Sequence, residues 1–237
     1  MRIAHTILAV AALVTSACST VHHRVAVDPQ VTFAVHQEHA RLVVDRAPGG
    51  GSGEITPTSG FRGRGSPGFT LHVDGQPDAW LWVTAPATVD ARQTADAAAE
   101  RVGQVTPTWE DGAVRFALRG TDGQTLQSDT FQRVGTGGSS VLCRDVHSVL
   151  DLRGTFRAEL HDPSGGTPGW LRIQLGPYND APRIYDAVLP PTVSPALAAA
   201  AAVALGSEID WIEYHTLDVY RGSQSGPLQQ SVPMNGH

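Results

Sequence analysis

The segment SPALAAAAAVALG, residues 194–206, carries the strongest structural signal in the chain. Ser194 is a typical N-cap, Pro195 suits the first helical position, and Gly206 is a typical helix end. The residues between them, 196–205, are apolar on every side. Crossing a bilayer takes about 20 apolar residues, so a short helix that is apolar all round is expected to be buried. The segment therefore predicts a core helix that ends at Gly206 and packs closely on a sheet through its alanines.

A second helix is predicted upstream, over residues 91–102. Asp90 is placed to cap it with Gln93 three residues on, and Gly103 is placed to end it. Its apolar residues recur on one helical face, namely Ala91, Ala95, Ala98, Ala99 and Val102. The pattern favours an amphipathic helix with this stripe turned towards the core.

Most of the remaining sequence is rich in strand-forming residues. Residues 114–119 and 125–133 flank Asp122-Gly123, a pair typical of a tight hairpin turn. Similar runs occur at 31–35, 41–45, 141–152 and 155–161. We therefore predict an α+β fold that is strand-rich, with a mostly antiparallel sheet and two short helices.

A weak internal repeat accompanies these elements. GSPGF at 65–69 recurs as GTPGW at 166–170, and in each copy two strand-like runs follow, then a proline and threonine turn, then a predicted helix. Trp109 in the first copy matches Trp211 in the second. Similar order and spacing favour a divergent internal duplication, with chance similarity in a Gly- and Pro-rich chain as the alternative. The predicted organisation is a signal peptide at 1–17, a tether and N-terminal strands at 18–53, a first repeat at 54–121, connecting strands at 122–165, a second repeat at 166–222 and a disordered tail at 223–237.

The N-terminus has the pattern of an export signal. Arg2 precedes an apolar run at 7–14, which is too short for a permanent span, and small residues follow it. The ending Thr15-Ser16-Ala17-Cys18 resembles the lipobox of bacterial lipoproteins, apart from Thr15, where leucine is usual. An ordinary signal peptide with a coincidental cysteine is the alternative.

The lipoprotein resemblance covers residues 1–18 and carries several expectations. It implies that Cys18 becomes the new N-terminus and carries lipid, so that labelled palmitate enters the protein there. Multiple acyl chains give stable anchoring, so the protein would be held to a membrane while its body stays in water. In that family Ser19 after the cysteine, in place of aspartate, implies the outer membrane, facing the periplasm, if the cell is Gram-negative.

Composition excludes several function classes. The chain has 17 basic and 23 acidic residues, a formal net charge of −6, and every basic residue is arginine. Without lysine, the P-loop, Schiff-base and Ser-x-x-Lys chemistries are excluded. An acidic chain with no basic run also lacks the electrostatic footprint of nucleic-acid binding.

Four groups of residues are candidate sites. Trp80 and Trp82 share one strand face and could bind a ligand, although core packing is the favoured interpretation. Glu208 and Asp210 are predicted on one face of a strand and, with Glu213 and Asp218, form an acidic cluster suited to general acid–base work. The histidines near His36 match no zinc-hydrolase spacing, so neither a metal site nor a cofactor is predicted. Cys143 is interpreted as a small buried hydrophobe, with a thiol assisted by His147 as the alternative.

The leading functional prediction is a non-enzymatic, lipid-anchored cell-envelope protein with a binding or structural role. Its partners would be the membrane and an envelope protein or a glycan. An envelope hydrolase that uses Glu208, Asp210 and Glu213 is one alternative. The other is a carrier of a lipid or another apolar ligand, with a cavity between the sheet and the 196–205 helix.

Overall fold

The computed structural model describes residues 28–38, 41–58, 68–84, 87–96, 99–135, 141–143, 152–176 and 183–224. Side chains in the last of these ranges are described as far as Glu213. The predicted signal peptide, Cys18, Asp218's side chain and residues 225–237 lie outside the described part.

Strands dominate the described residues, with one long helix at their end. The strands are β1 (Phe33–Glu38), β2 (Arg41–Arg46), β3 (Gly53–Pro57), β4 (Gly68–Val73), β5 (Ala79–Thr84), β6 (Thr88–Arg92), β7 (Arg101–Glu110), β8 (Ala113–Gly120), β9 (Thr125–Ser128), β10 (Gln132–Arg133), β11 (Gly154–His161), β12 (Gly169–Leu175) and β13 (Ile184–Val188). The helix is α1 (Pro195–Gln224).

The strands close into a twelve-stranded antiparallel barrel. Consecutive strands pair from β1 to β9, and β11, β12 and β13 continue the same way until β13 pairs with β1. β9 and β10 both pair with β11 and therefore share one position in the wall. Because the wall closes on itself through β13 and β1 and through β9 and β11, its strands pair with one another around the whole barrel.

Strand alternation sorts side chains between the lumen and the outside. In β12, Leu171 and Ile173 point into the lumen and are buried, whereas Trp170 and Arg172 lie on the outer face. Outside, the guanidinium groups of Arg157 and Arg172 lie 4.7 and 5.0 Å from the centre of the Trp170 ring. Arg172 also forms an ion pair with Asp186. The wall is therefore apolar inside and carries charged and aromatic groups outside.

α1 runs through the lumen. It contacts β5 to β8 on one side and β1 across the barrel. A row of its small residues also packs towards β12 and β13, where Ala198, Ala202 and Leu205 lie near Leu171 and Tyr185. An eight-stranded barrel is just filled by side chains and the diameter grows with strand number, so twelve strands leave room for a slender, alanine-rich helix.

The prediction of a buried core helix at 196–205 is confirmed, because all ten residues are buried. The start at Ser194 and Pro195 is also confirmed: Leu197 N donates to Ser194 Oγ at 3.2 Å. The stretch 195–213 is long and apolar enough to cross a membrane, but 72% of its apolar window is buried inside the protein. Along this stretch the apolar character of α1 is that of a core element.

The predicted end of this helix is wrong, and so is the strand expected after it. α1 continues past Gly206 to Gln224, so Glu208 and Asp210 lie on a helix and not on one face of a strand. Gly206 lies against the Tyr185 hydroxyl, to which a Cβ at that position would be 3.1 Å distant. Close packing on β13, and not a helix stop, explains the glycine.

The helix predicted over 91–102 is wrong. The stretch forms the end of β6, a connection and the start of β7, with Ala91 paired to Gly103. Asp90, expected as an N-cap, accepts a 2.9 Å hydrogen bond from Gln104 Nε2 across the two strands and pairs with Arg101 at 3.5 Å. At both ends of the predicted helix, at Ala91 and Val102, membership of a paired strand outweighed the helical spacing.

The α+β class and the duplication are therefore corrected to a mostly β fold with a single helix in the described part. The two proposed copies agree only as far as two strands each, β4 and β5 against β12 and β13. Beyond that point Trp109 lies in β7, whereas Trp211 lies in α1. After these strands the first half of the chain continues with further wall strands. The second half continues with α1, which fills the lumen.

The hairpin prediction is confirmed, because β8 and β9 pair across the turn at Asp122-Gly123. Glycine suits this turn, since Gly123 has a φ of 78°. The glycine-rich stretch at 49–53 forms the connection between β2 and β3 and the first residue of β3. Cys143, expected to be buried, is half-buried, and His147 lies outside the described residues.

Candidate functional site

A cavity of about 300 Å³ opens at the barrel end where α1 enters, which we call the entry end. It lies between the start of α1 and the wall strands β4, β5 and β7, beside the β4–β5 and β8–β9 turns. It is large enough for about ten water molecules at roughly 30 Å³ each. Its lining residues are Leu71, Val73, Gln76, Pro77, Asp78, Ala79, Gln93, Val102, Gly120, Thr121, Asp122, Thr192, Ser194, Pro195, Ala196 and Leu197.

The walls of the cavity are apolar for reasons visible in the local sequence. Leu71 and Val73 alternate in β4 and point into the lumen, and Ala79 begins β5 on the same side. Across from them stand Ala196 and Leu197, the first apolar residues of α1. A round helix does not fill the lumen out to β4 at this level, and the gap that remains is the cavity.

Two carboxylates stand at the cavity rim. Asp122 Oδ1 accepts the backbone N–H of Gln124 at 2.9 Å, which holds the β8–β9 turn in shape. Asp78 lies 2.8 Å from His72 Nδ1, an exposed ring on the outer face of β4. The hydrogen bond and the charge of Asp78 raise the pKa of His72 above its usual value. The cavity thus combines an apolar floor with a polar, acidic mouth.

The opposite end of the lumen, the exit end, holds a cluster of polar side chains. Glu208 is fully buried, and its Oε1 accepts a hydrogen bond from Trp109 Nε1 at 3.1 Å. Arg183 donates to Asp210 at 2.5 Å and to Glu213 at 2.8 Å. The hydrogen bond between Glu208 and Trp109 holds α1 to β7. The two ion pairs of Arg183 hold α1 to the start of β13.

The residues predicted as an acidic site are therefore only partly brought together. Asp210 and Glu213 meet on Arg183, whereas Glu208 accepts a hydrogen bond from Trp109 on β7. The 300 Å³ cavity lies at the entry end, so none of these three carboxylates lines it.

The two tryptophans predicted as ligand-binding residues lie on the outer face of β5. Leu81 and Val83 point into the lumen, and Trp80 and Trp82 are half-buried outside it. Trp82 Nε1 is buried, and no hydrogen-bond acceptor for it is found among the described residues. Neither tryptophan lines the cavity, and neither belongs to the lumen core.

The structure shows no three-residue group of metal-ligating side chains among the residues it describes. His36, considered in the sequence as a ligand, instead has its Nδ1 2.7 Å from Asp45 Oδ2, with both side chains largely buried. The ring bonds a carboxylate of the neighbouring strand.

Sequence reasoning missed the cavity residues. Asp122 was recognised only as part of a turn, Ser194 and Pro195 only as a helix start, and Asp78 carried no signal at all. The alternation of Leu71 and Val73 was readable as a buried face, but the gap opposite them was not. A cavity formed between a helix and strands that are distant in sequence leaves no local pattern.

No known protein family, curated protein or solved structure matches this chain.

Proposed function

We propose that this protein binds a small amphipathic molecule in the cavity at the entry end, and that it does so as a lipid-anchored protein of the cell envelope. The observation that carries the proposal is the 300 Å³ space between α1 and β4, with apolar walls and a polar mouth. Small-molecule sites are typically concave, mostly apolar and equipped with a few polar groups that orient the ligand, and their volumes begin at about this size.

The location of the cavity supports a binding role over a structural one. Each apolar wall residue that stays in contact with empty space forgoes packing energy that a filled core would gain. Further along α1, the space near Ala198 and Ala202 is only about 20 Å³. The larger of these two spaces lies at the entry end, where a molecule from solvent can reach it.

The binding proposal is tested with N-phenyl-1-naphthylamine, a neutral apolar fluorophore, and with 1-octanol as its competitor. We expect saturable fluorescence enhancement that octanol reverses. Ala196→Phe places a ring in the cavity and should weaken binding at least tenfold, whereas Ala117→Phe places the same ring on the outer face of β8 and should leave it unchanged. Circular dichroism and melting temperature confirm that both variants are folded.

Two results would refute the binding proposal. One is the absence of saturable binding in the wild-type protein. The other is equal binding by folded Ala196→Phe, which would place the probe elsewhere on the molecule.

The anchoring part of the proposal rests on the lipobox-like Thr15-Ser16-Ala17-Cys18. Cells grown with labelled palmitate should yield labelled protein in the membrane fraction, and Cys18→Ala should lose both the label and the membrane association. Cys143→Ala is the matched control and should keep both. Wild-type protein without label would contradict the anchor and leave the cavity proposal standing.

A further inference from the structure

From the charges around the cavity we infer that its ligand is a small amphiphilic cation, such as an amine on a short apolar chain or ring. This inference rests on the proposed function and adds the chemical class of the head group. The charged residues that line the cavity are Asp78 and Asp122, and none of the described lining residues is basic. Both carboxylates are exposed at the mouth, where a head group would remain while its tail enters.

The α1 N-terminus is the one feature of the cavity that favours the opposite charge. A helix start carries about half of a positive charge, spread over its unpaired N–H groups. Here Pro195 has no N–H, and the N–H of Leu197 is already accepted by Ser194 Oγ at 3.2 Å. Two full negative charges at the mouth therefore exceed the partial positive charge of the helix start.

His72 reduces the negative charge at the cavity mouth without reversing its sign. Its ring bonds Asp78 from the outer face of β4, and a protonated ring offsets the Asp78 charge. Asp74 and Glu54 also act on His72 and add negative charge on that side. Asp122 belongs to another turn, the β8–β9 turn, where its Oδ1 accepts the backbone N–H of Gln124. The formal net charge of the whole chain, −6, acts in the same direction.

The apolar part of the ligand is set by the walls. Leu71, Val73 and Ala79 offer aliphatic contacts on one side, with Ala196 and Leu197 on the other. A space of about 300 Å³ accepts a short chain or a single ring system and excludes a long acyl chain in extended form. Head and tail together define an amphiphilic amine.

The test compares three ligands that share one tail and differ in the charge of the head group. 1-Octylamine, 1-octanol and octanoate are titrated against bound N-phenyl-1-naphthylamine at pH 8, where the amine is charged and the acid ionised. We expect octylamine to bind about threefold to tenfold more tightly than octanol, as exposed ion pairs allow, and octanoate to bind more weakly than octanol. Raising the salt concentration should reduce these differences through screening.

Substitutions test whether the preference for octylamine over octanol comes from the two carboxylates. Asparagine keeps an oxygen that can hold the Asp122 turn and bond His72, so Asp78→Asn combined with Asp122→Asn should bring octylamine to within about twofold of octanol. Asp111→Asn is the matched control, because Asp111 is an exposed carboxylate at the exit end, and asparagine tolerates its positive φ of 51°. It should keep the preference of the wild-type protein.

The outcomes separate the two proposals. If octanol does not displace the probe from the wild-type protein, the proposed function fails, and the inference fails with it. If octanol binds but octanoate binds as tightly as octylamine, or if the double variant keeps the amine preference, the cavity proposal survives and the cationic ligand is overturned.

Discussion

At the residue scale, two glycines decide how closely neighbouring strands of the barrel approach. A Cβ on Gly169 would lie 2.0 Å from the Val188 carbonyl oxygen, and one on Gly53 would lie 1.9 Å from that of His72. Both positions begin a strand at the entry end, and both face backbone atoms that cannot move aside without disrupting the sheet. Glycine inside strands commonly marks such close backbone approach.

Gly169→Ala is therefore expected to lower the free energy of unfolding by about 3 kcal/mol or more, because the added methyl group meets backbone. Gly75→Ala is the control. Gly75 has a φ of 76° and open space around it, so alanine there meets only the cost of a left-handed conformation, about 1–2 kcal/mol. Urea denaturation of both variants measures the difference, and equal losses would contradict the geometry.

The buried Tyr185 makes the stability of the protein depend on pH in the alkaline range. Burial raises the pKa of Tyr185 to about 12, above its ordinary value of 10.0. Between pH 10 and 12 the unfolded chain therefore loses this proton while the folded protein keeps it, so stability falls as the pH rises, by about 2–3 kcal/mol over the interval. Tyr185→Phe cannot ionise in either state and should show a smaller alkaline loss. Identical pH profiles in urea denaturation would contradict this assignment.

At the element scale, α1 fits the lumen because its inner positions carry methyl groups. Ala199, Ala200 and Ala204 have no exposed surface, so wall side chains surround them on every side. The larger residues Val203 and Ile209 are equally enclosed and each contribute about 1.5–3 kcal/mol by burial. The order of small and large residues along α1 therefore matches the shape of the space around it.

Ala200→Leu is expected to destabilise the protein by about 1–3 kcal/mol, since three additional carbons must enter a filled lumen. Ala117→Leu makes the same change on the outer face of β8, where Ala117 is half-exposed, and should change stability by less than about 0.5 kcal/mol. The two variants are compared by thermal and urea denaturation. A stable Ala200→Leu protein would mean that the lumen is less tightly filled than the structure shows.

The start and the middle of α1 are held by different interactions, and the sequence revealed only the first of them. Ser194 and Pro195 are local signals of a helix start, and the structure confirms them. The ion pairs of Arg183 with Asp210 and Glu213 join residues 27 and 30 positions apart in sequence. Such a partnership depends on where β13 and α1 meet, so no local pattern could predict it.

At the scale of the whole molecule, the barrel and the helix share one core. The wall strands supply Phe116, Phe156 and Ile173 to the same hydrophobic cluster as the alanines of α1. A barrel of this width without its helix would leave those side chains facing an open lumen. The helix therefore completes the core of the barrel.

A chain that ends at Val193 should consequently lose cooperative unfolding. Its wall can still close through β13 and β1, but an unfilled apolar lumen should bind 8-anilinonaphthalene-1-sulfonate strongly and show no sharp heat-capacity peak. Full-length protein is the control. A truncated chain that melts cooperatively within a few degrees of the full-length protein would show that the barrel is stable without α1.

The sequence alone determined the elements that depend on neighbouring residues. Alternating β-prone runs around Asp122-Gly123 predicted an antiparallel hairpin, and Ser194-Pro195 followed by an all-round apolar run predicted a buried helix. Both predictions hold because turn chemistry, capping and burial are set within a few residues.

The tertiary structure decided the rest. Ala91 and Val102 belong to a helical spacing pattern, yet they lie in β6 and β7, where strands on both sides complete the hydrogen bonds. Closure of the wall between β13 and β1, and the cavity between α1 and β4, likewise join parts of the chain that are far apart in sequence. Pairing and packing between distant segments have no signature in a local pattern, because their energy exists only once the segments meet.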